Sequence, residues 1–288
     1  MDMATLAPAR PLTPSLQLPL PPRSAAAAVL TLARRRLALT ARTPRELVVP
    51  LMTPVLFALV IAPALRDALG AVHNGVDYMS FVALATIGLL IPLNTQFAGL
   101  GVIVDRIAGA QRELLSAPVR RALLVVSNVI VVLGITALQL TVLVLLAAVR
   151  GAHFTFTASS IGWLVATAVL FTVGMYGIAE AIASRIARQE EYIGATPAVA
   201  IVPWFFAGSL FPISVLPGFL DVFAKFLPLT HALAVVRYAM LGTASGLKDI
   251  WGMNDTATMA GLSLLVVAVF AVASLALAVR VFNRSVGR

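Results

Sequence analysis

The chain has 288 residues, 60% of them hydrophobic and only 11% charged, against roughly 25% charged in an ordinary soluble domain. So few charges cannot cover so large an apolar interior, which excludes a soluble globular protein and points to a polytopic membrane protein. The net charge of +9 would suggest a nucleic-acid partner in a soluble chain, and the absence of cysteine excludes disulfides, thiolate metal sites and cysteine nucleophiles.

Residues 1–23 hold six prolines (Pro8, Pro11, Pro14, Pro19, Pro21 and Pro22) and read as a flexible cytosolic tail, because proline removes helix donors and clashes with the preceding turn. Residues 24–43 read as an amphipathic helix capped by Ser24. Arg34, Arg35, Arg36 and Arg42 give it a basic face and Val29, Leu30, Leu37 and Leu39 an apolar one, which suits a helix lying on the inner leaflet. Six apolar stretches follow at about residues 46–65, 79–104, 121–149, 161–183, 193–211 and 258–279, each near the ~20 residues that cross a bilayer. Pro92, Gly174, Gly177, Pro197 and Pro203 are breakers that membrane helices tolerate when neighbours satisfy the freed carbonyls.

With the N-terminus inside, sixteen basic residues fall on the inner side and five on the outer, so both termini are expected in the cytoplasm of the plasma membrane. The basic excess is thereby topogenic, and nucleic acid drops out as a partner. Residues 212–257 are too long for a turn and too apolar for a free loop. They predict two short helices, at 217–226 and 230–241, broken at Leu227-Pro228 and folded back into the outer leaflet.

No Gly-Lys-Ser/Thr ending exists around Lys225 or Lys248, so the chain has no P-loop. His73, His153 and His231 lie in three separate loops without metal-ligand spacing, and no Gly-x-Ser-x-Gly occurs. An enzyme acting alone is disfavoured, and no cofactor or metal is expected. The informative cytosolic element is residues 105–121, in which Ile107, Leu114 and Leu115 alternate with Arg106, Gln111, Arg112 and Glu113 until Pro118 ends the helix. A topogenic loop needs only the arginines; the added order predicts docking onto a cytosolic partner.

Asp105-Arg106, Gly109, Arg112-Glu113-Leu114-Leu115 and Pro118-Val119 together resemble the loop between the second and third spans of type-2 ABC exporter permeases. Phe206-Ala207-Gly208-Ser209-Leu210-Phe211-Pro212, then Leu216-Pro217, Leu227-Pro228-Leu229-Thr230-His231 and Arg237, are similar to the fifth-span end and re-entrant hairpin of that family. Within it the chain looks most like the daunorubicin-resistance type of drug and lipid exporters. The resemblance implies an all-α fold with a tail (1–23), a connecting helix (24–43) and a transmembrane domain (44–288). It implies a coupling helix over 105–121 seated in a separate cytosolic ATPase, and a homodimer or heterodimer of permeases in contact with membrane lipids. The cargo it implies is an amphipathic drug, antibiotic or lipid.

Asn94, Thr95 and Gln96 beside Pro92, and Asn128, Thr136 and Gln139 in the third span, either bond between helices or face the translocation pathway. Trp204, Phe205 and Phe206 either line an apolar route or anchor at the interface. Glu180 is expected to pair with Arg185 or Arg188, and Glu46 to have a similar partner. The spans carry no chain of ionisable residues to bind a coupling ion, which weighs against an ion-driven secondary transporter. A plain membrane anchor for a cytosolic partner would not need the broken outer hairpin. The topology is testable on a chain free of cysteine. Cysteines introduced at Thr13, Ser116 and Ser285 should resist an impermeant thiol reagent in intact cells, and those at Asn74, Ser159 and Ser245 should react. Labelling of Ser116 from outside would contradict it.

Overall fold

The structure is a computed structural model that describes residues 24–56, 59–60, 64, 72–73, 76–116 and 122–286. The proline-rich stretch 1–23 lies outside the described residues. Ser24 accepts a hydrogen bond from the Ala27 amide and opens α1, Ala25–Arg42. Helix α2 covers Arg45–Leu56. A two-residue hairpin, Val72–His73 with Val76–Asp77, is the one departure from helix in the regular structure of the described residues. Then come α3 (Tyr78–Ile107), α4 (Ala110–Ser116), α5 (Ala122–Val149), α6 (Ala158–Ala183) and α7 (Gln189–Phe206). The next connection holds α8 (Gly218–Phe226), α9 (Pro228–Leu241) and α10 (Ser245–Trp251), and α11 (Thr256–Val286) closes the described chain.

Where the sequence predicts six crossings, four helices among the described residues are long and apolar enough to span: Met79–Ile107, Ala122–Val149, Ala158–Ala183 and Thr256–Arg284. The bent pair α8–α9 makes five if it is counted as one span. The predicted first span falls on α2 and then runs largely outside the described residues. The predicted fifth is α7, whose first turn is Gln189-Glu190-Glu191, so its apolar run is short. The predicted outer break is at Leu227: α8 and α9 meet there at 80°, with Pro228 at the first position of α9, where its missing N–H costs nothing.

Helix α3 forms the centre. Its most apolar window is 78% buried, against 33%, 39% and 28% for the other three candidate spans, which turn much of their surface outward. Pro92 lies inside α3 without ending it. At 1.5 Å per residue its 30 residues reach about 45 Å, longer than a ~30 Å hydrocarbon core is thick, and its last turn carries Asp105 and Arg106. Leu90, Leu143, Phe171, Trp204, Leu233 and Val267 bring α3, α5, α6, α7, α9 and α11 into one core.

Gly174 and Gly177 are not breaks, because α6 runs through both. A Cβ on Gly177 would lie 2.5 Å from the Ser274 carbonyl carbon, and one on Gly174 would lie 2.5 Å from the Phe270 ring. Lipid tails supply no hydrophobic force between helices, so close backbone approach at small residues is what joins α6 to α11. Gly177→Leu should therefore cost about 3 kcal/mol or more, since backbone cannot yield as a side chain would. Thermal unfolding in detergent should show a clear drop for Gly177→Leu and none for Gly162→Leu, whose Cβ would meet open space.

Candidate functional site

The site begins with a choice among three consecutive arginines. The inward face of α1 is Ala33, Arg36 and Thr40, so Arg36 is buried while Arg34 is exposed and Arg35 half-buried. Arg36 Nη1 lies 3.3 Å from Asp105 Oδ2, and Arg35 Nη1 lies 3.8 Å from the same oxygen. Asp105 stands one helical turn beyond Gly101, on the same face of α3. The Arg36 guanidinium lies across that glycine, where a Cβ would be 1.6 Å from Nη2. The slot exists only because residue 101 has no side chain.

Arg106 serves a different neighbour. Its guanidinium donates to the Ala183 carbonyl at 3.1 Å and to the Ile186 carbonyl, both left open by the end of α6. Two successive residues in the last turn of α3 thus hold α1 on one side and the C-terminus of α6 on the other.

Behind this junction the Tyr176 hydroxyl donates to Glu180 Oε2 at 2.6 Å, and both residues are fully buried. The expected partners of Glu180 are corrected here. Arg185 and Arg188 are exposed, and the cations that act on Glu180 are Arg36 and Arg106. The turn at Ser184 carries Arg185 away from the helix end, whereas Arg36 and Arg106 arrive from α1 and α3. Two cavities of about 40 and 20 Å³ flank Arg36 and share Asn128. These are water-sized spaces in a mixed polar and apolar lining, too small for an amphiphilic cargo.

Helix α4 follows Gly109, whose φ of +79° makes the turn out of α3 and whose missing side chain faces open space. Glycine is needed there for the conformation, with no close neighbour among the described residues. Gln111 and Leu114 line the larger cavity beside Leu32, Arg35, Asp105 and Leu124, so Leu114 is half-buried against its own chain, while Glu113 is exposed. The side chains of Arg112 and Leu115, and the whole of Pro118, lie outside the described residues, as does the side chain of Glu46.

The residues expected along the pathway are mostly packed between helices. Asn94 Nδ2 donates to Thr136 Oγ1 at 2.7 Å, joining α3 to α5. Gln96 and Gln139 are buried, and Asn128 is half-buried. Trp204 is core, its indole N–H donating to the Ala85 carbonyl at 2.8 Å. Phe205 is exposed, and Phe206 meets Phe223 of α8 edge to face at 6.1 Å.

The hairpin of α8 and α9 is tied at several points. Pro212 precedes a one-turn 3-10 helix, Ile213–Val215, and Pro217 precedes α8. The buried Arg237 donates to the Gly208 and Ser209 carbonyls at 2.7 and 2.9 Å, and its guanidinium stacks 3.5 Å above the Phe81 ring. His231 places Nε2 2.9 Å from the Lys225 carbonyl at the end of α8 and Nδ1 3.2 Å from Ser263 Oγ, which also accepts from Trp251. Side chains on α9 therefore fix the ends of α7 and α8 and reach α11.

Sequence reasoning missed the pairing of Arg36 with Asp105 and the role of Tyr176. The glycine one turn before an acid at a helix end was the available signal for the first; Tyr176 and Glu180, four apart on one span, were the signal for the second. Residues 27–241, well over half of the chain, match the family model described as ABC-2 type transporter. The match starts at the third residue of α1 and ends at the last residue of α9. No curated protein matches the chain.

Gly101→Ala should expel Arg36 from its slot while leaving α3 intact. Trypsin cleavage after Arg34 or Arg42 in inside-out vesicles should then speed up about fivefold, as for the loss of ~1 kcal/mol. Gly134→Ala, at a position open to space, should leave cleavage unchanged.

Proposed function

Because the chain belongs to the ABC-2 type transporter family, we propose that it is the membrane-spanning permease subunit of an ATP-driven exporter. It carries an amphipathic drug, antibiotic or lipid out of the cytoplasm or inner leaflet. ATP is hydrolysed by a separate cytosolic ATPase, as the missing P-loop requires. Two permeases, identical or sister chains, complete the pathway with two ATPases. Six crossings, with α2 and α7 as the first and fifth, and both termini inside complete the reading. The choice of cargo follows the likeness of the chain, within the family, to the daunorubicin-resistance type of drug and lipid exporters.

The observation that carries this function is the last turn of α3 with α4 beyond it. Nucleotide-driven motion must enter the membrane through a rigid element. Helix α4 rests its Leu114 side on α1 and α5 and exposes Glu113. Arg36 and Arg106 anchor its root to α1 and α6. Asp105, Arg106, Gly109, Arg112, Glu113, Leu114, Leu115 and Pro118 form the coupling segment, with the side that carries Glu113 toward the ATPase. An ion-driven mechanism is the weaker reading, because Glu180 is tied to Tyr176 and belongs to no relay of carboxylates along a span.

Burial of a leucine stabilises by about 1.5–3 kcal/mol, more than a charge on the rim contributes. Leu114→Asp should therefore abolish ATP-driven efflux at matched membrane levels and weaken retention of the ATPase in a pull-down. Glu113→Ala and Arg112→Ala should lower both only in part. Wild-type efflux and pull-down for Leu114→Asp would show that α4 is not the coupling element.

A further inference from the structure

One cavity is much larger than those at the Arg36 junction. It measures about 340 Å³ and lies between α5 and α6. Its wall on α5 runs from Leu133 to Leu145 and its wall on α6 from Thr172 back to Ile161, with Phe156 at the mouth. At 1.5 Å per residue these walls are about 18 and 16 Å long, close to half of a ~30 Å hydrocarbon core. The groove thus extends from the end of the spans joined by residues 150–157 to the middle of the bilayer, the depth of one leaflet.

Its chemistry is that of hydrocarbon. No charged side chain lines it, and its polar atoms are three threonine hydroxyls. Thr136 already accepts from Asn94, and Thr141 donates to the Ala137 carbonyl at 2.8 Å. Thr172, at the floor, is fully buried, and its hydroxyl has no partner among the described residues. Asn94, Gln96, Asn128 and Gln139 are absent from the lining; of the polar positions expected along the pathway Thr136 is on it, with its hydroxyl already engaged by Asn94.

Its rims, Thr141 and Leu145 on α5 and Val165 and Val169 on α6, are exposed. The cavity therefore opens sideways where a bilayer would lie. The mouth is held in place: the Thr155 amide donates to the Met240 carbonyl at 2.8 Å, and Phe154 meets Phe156 edge to face. Spread over its length, the volume gives a mean cross-section of about 20 Å² for atom centres, which excludes an α-helix of 10–12 Å diameter. A single polymethylene chain is the slim apolar body that a bilayer supplies at this place.

We infer that the groove between α5 and α6 seats one acyl chain of a lipid from the leaflet on the side of residues 150–157, with the chain end at Leu133 and Thr172. The inference needs only that α5 and α6 span the membrane, so it stands or falls apart from the exporter reading.

The test is photo-crosslinking of the full chain in nanodiscs made with phosphatidylcholine that carries a diazirine on one acyl chain. A diazirine at the chain end should label peptides holding Leu133 and Ala168 about fivefold or more above the exposed Leu265, Val269 and Val272 face of α11. A diazirine near the headgroup should move the label to Phe156 and Ile161. Ala168→Trp, which fills the groove, should bring the chain-end label down to that of α11. Should that variant fail to insert, Ala137→Trp makes the same test from the other wall. Thr172→Val should change nothing, because a chain end needs no hydrogen bond. Equal labelling of the groove and α11 would overturn the inference. Loss of label in Thr172→Val would also overturn it, since the occupant would then carry a polar group at its inner end. A disulfide between two copies through Ala137→Cys, with no lipid label, would overturn it in favour of a second permease.

Discussion

The ion pair between Arg36 and Asp105, laid across the bare backbone of Gly101, is the constraint on which the junction of α1, α3 and α4 depends. A basic helix outside the membrane would by itself lie on the anionic leaflet, held by charge and by a few leucines. Turning Arg36 inward converts it into a part of the protein. The pair is only partly solvated, with side chains 11% and 22% exposed, so removing one partner costs more than at a rim. This junction stands where α4 begins, and a displacement of α4 must be felt by α1, α3 and the end of α6 together.

Other contacts hold the helices by different means. Beside Tyr176 and Glu180, Gly177 brings the backbone of α6 against that of α11 at Ser274, and one turn away Gly174 makes room for the Phe270 ring. The buried α9 reaches α7 through Arg237, and α8 and α11 through His231. The ring of Phe81 beneath Arg237 adds the central helix to the same cluster. The buried charge of this cluster, Arg237, is received by backbone carbonyls and an aromatic face, as burial in an apolar surrounding demands.

Much of this was legible in the sequence. Apolar stretches of bilayer length located α3, α5, α6 and α11 because hydropathy needs no tertiary information. The break at Leu227-Pro228 was legible because proline disfavours helix in the residue before it and opens the helix that follows. Ser24 marked the start of α1 by its capping hydroxyl. What sequence could not supply was which of several equivalent residues turns inward. Arg34, Arg35 and Arg36 are alike in composition, and only the packing of Ala33 and Thr40 selects Arg36. Glu180 was assigned to arginines near in sequence, whereas its surroundings come from α1 and α3. Leu114 was read as part of a plug for a partner; that it also lines a cavity with Leu32 and Leu124 of its own chain depends on tertiary packing and was not legible. The polar residues of α7's first turn kept its apolar run short of the length expected for a fifth crossing.

The central claim is that force between the cytosolic element and the spans passes through the contact of Arg36 with Asp105. A double-mutant cycle on ATP-driven transport tests it most directly. Arg36→Gln, Asp105→Asn and the double variant would be reconstituted with the cognate ATPase at equal density. If the contact is the junction, each single variant loses transport and the double variant is no worse than the more impaired single one, because only one interaction is removed. Wild-type transport in both single variants, or losses that add in the double variant, would contradict it.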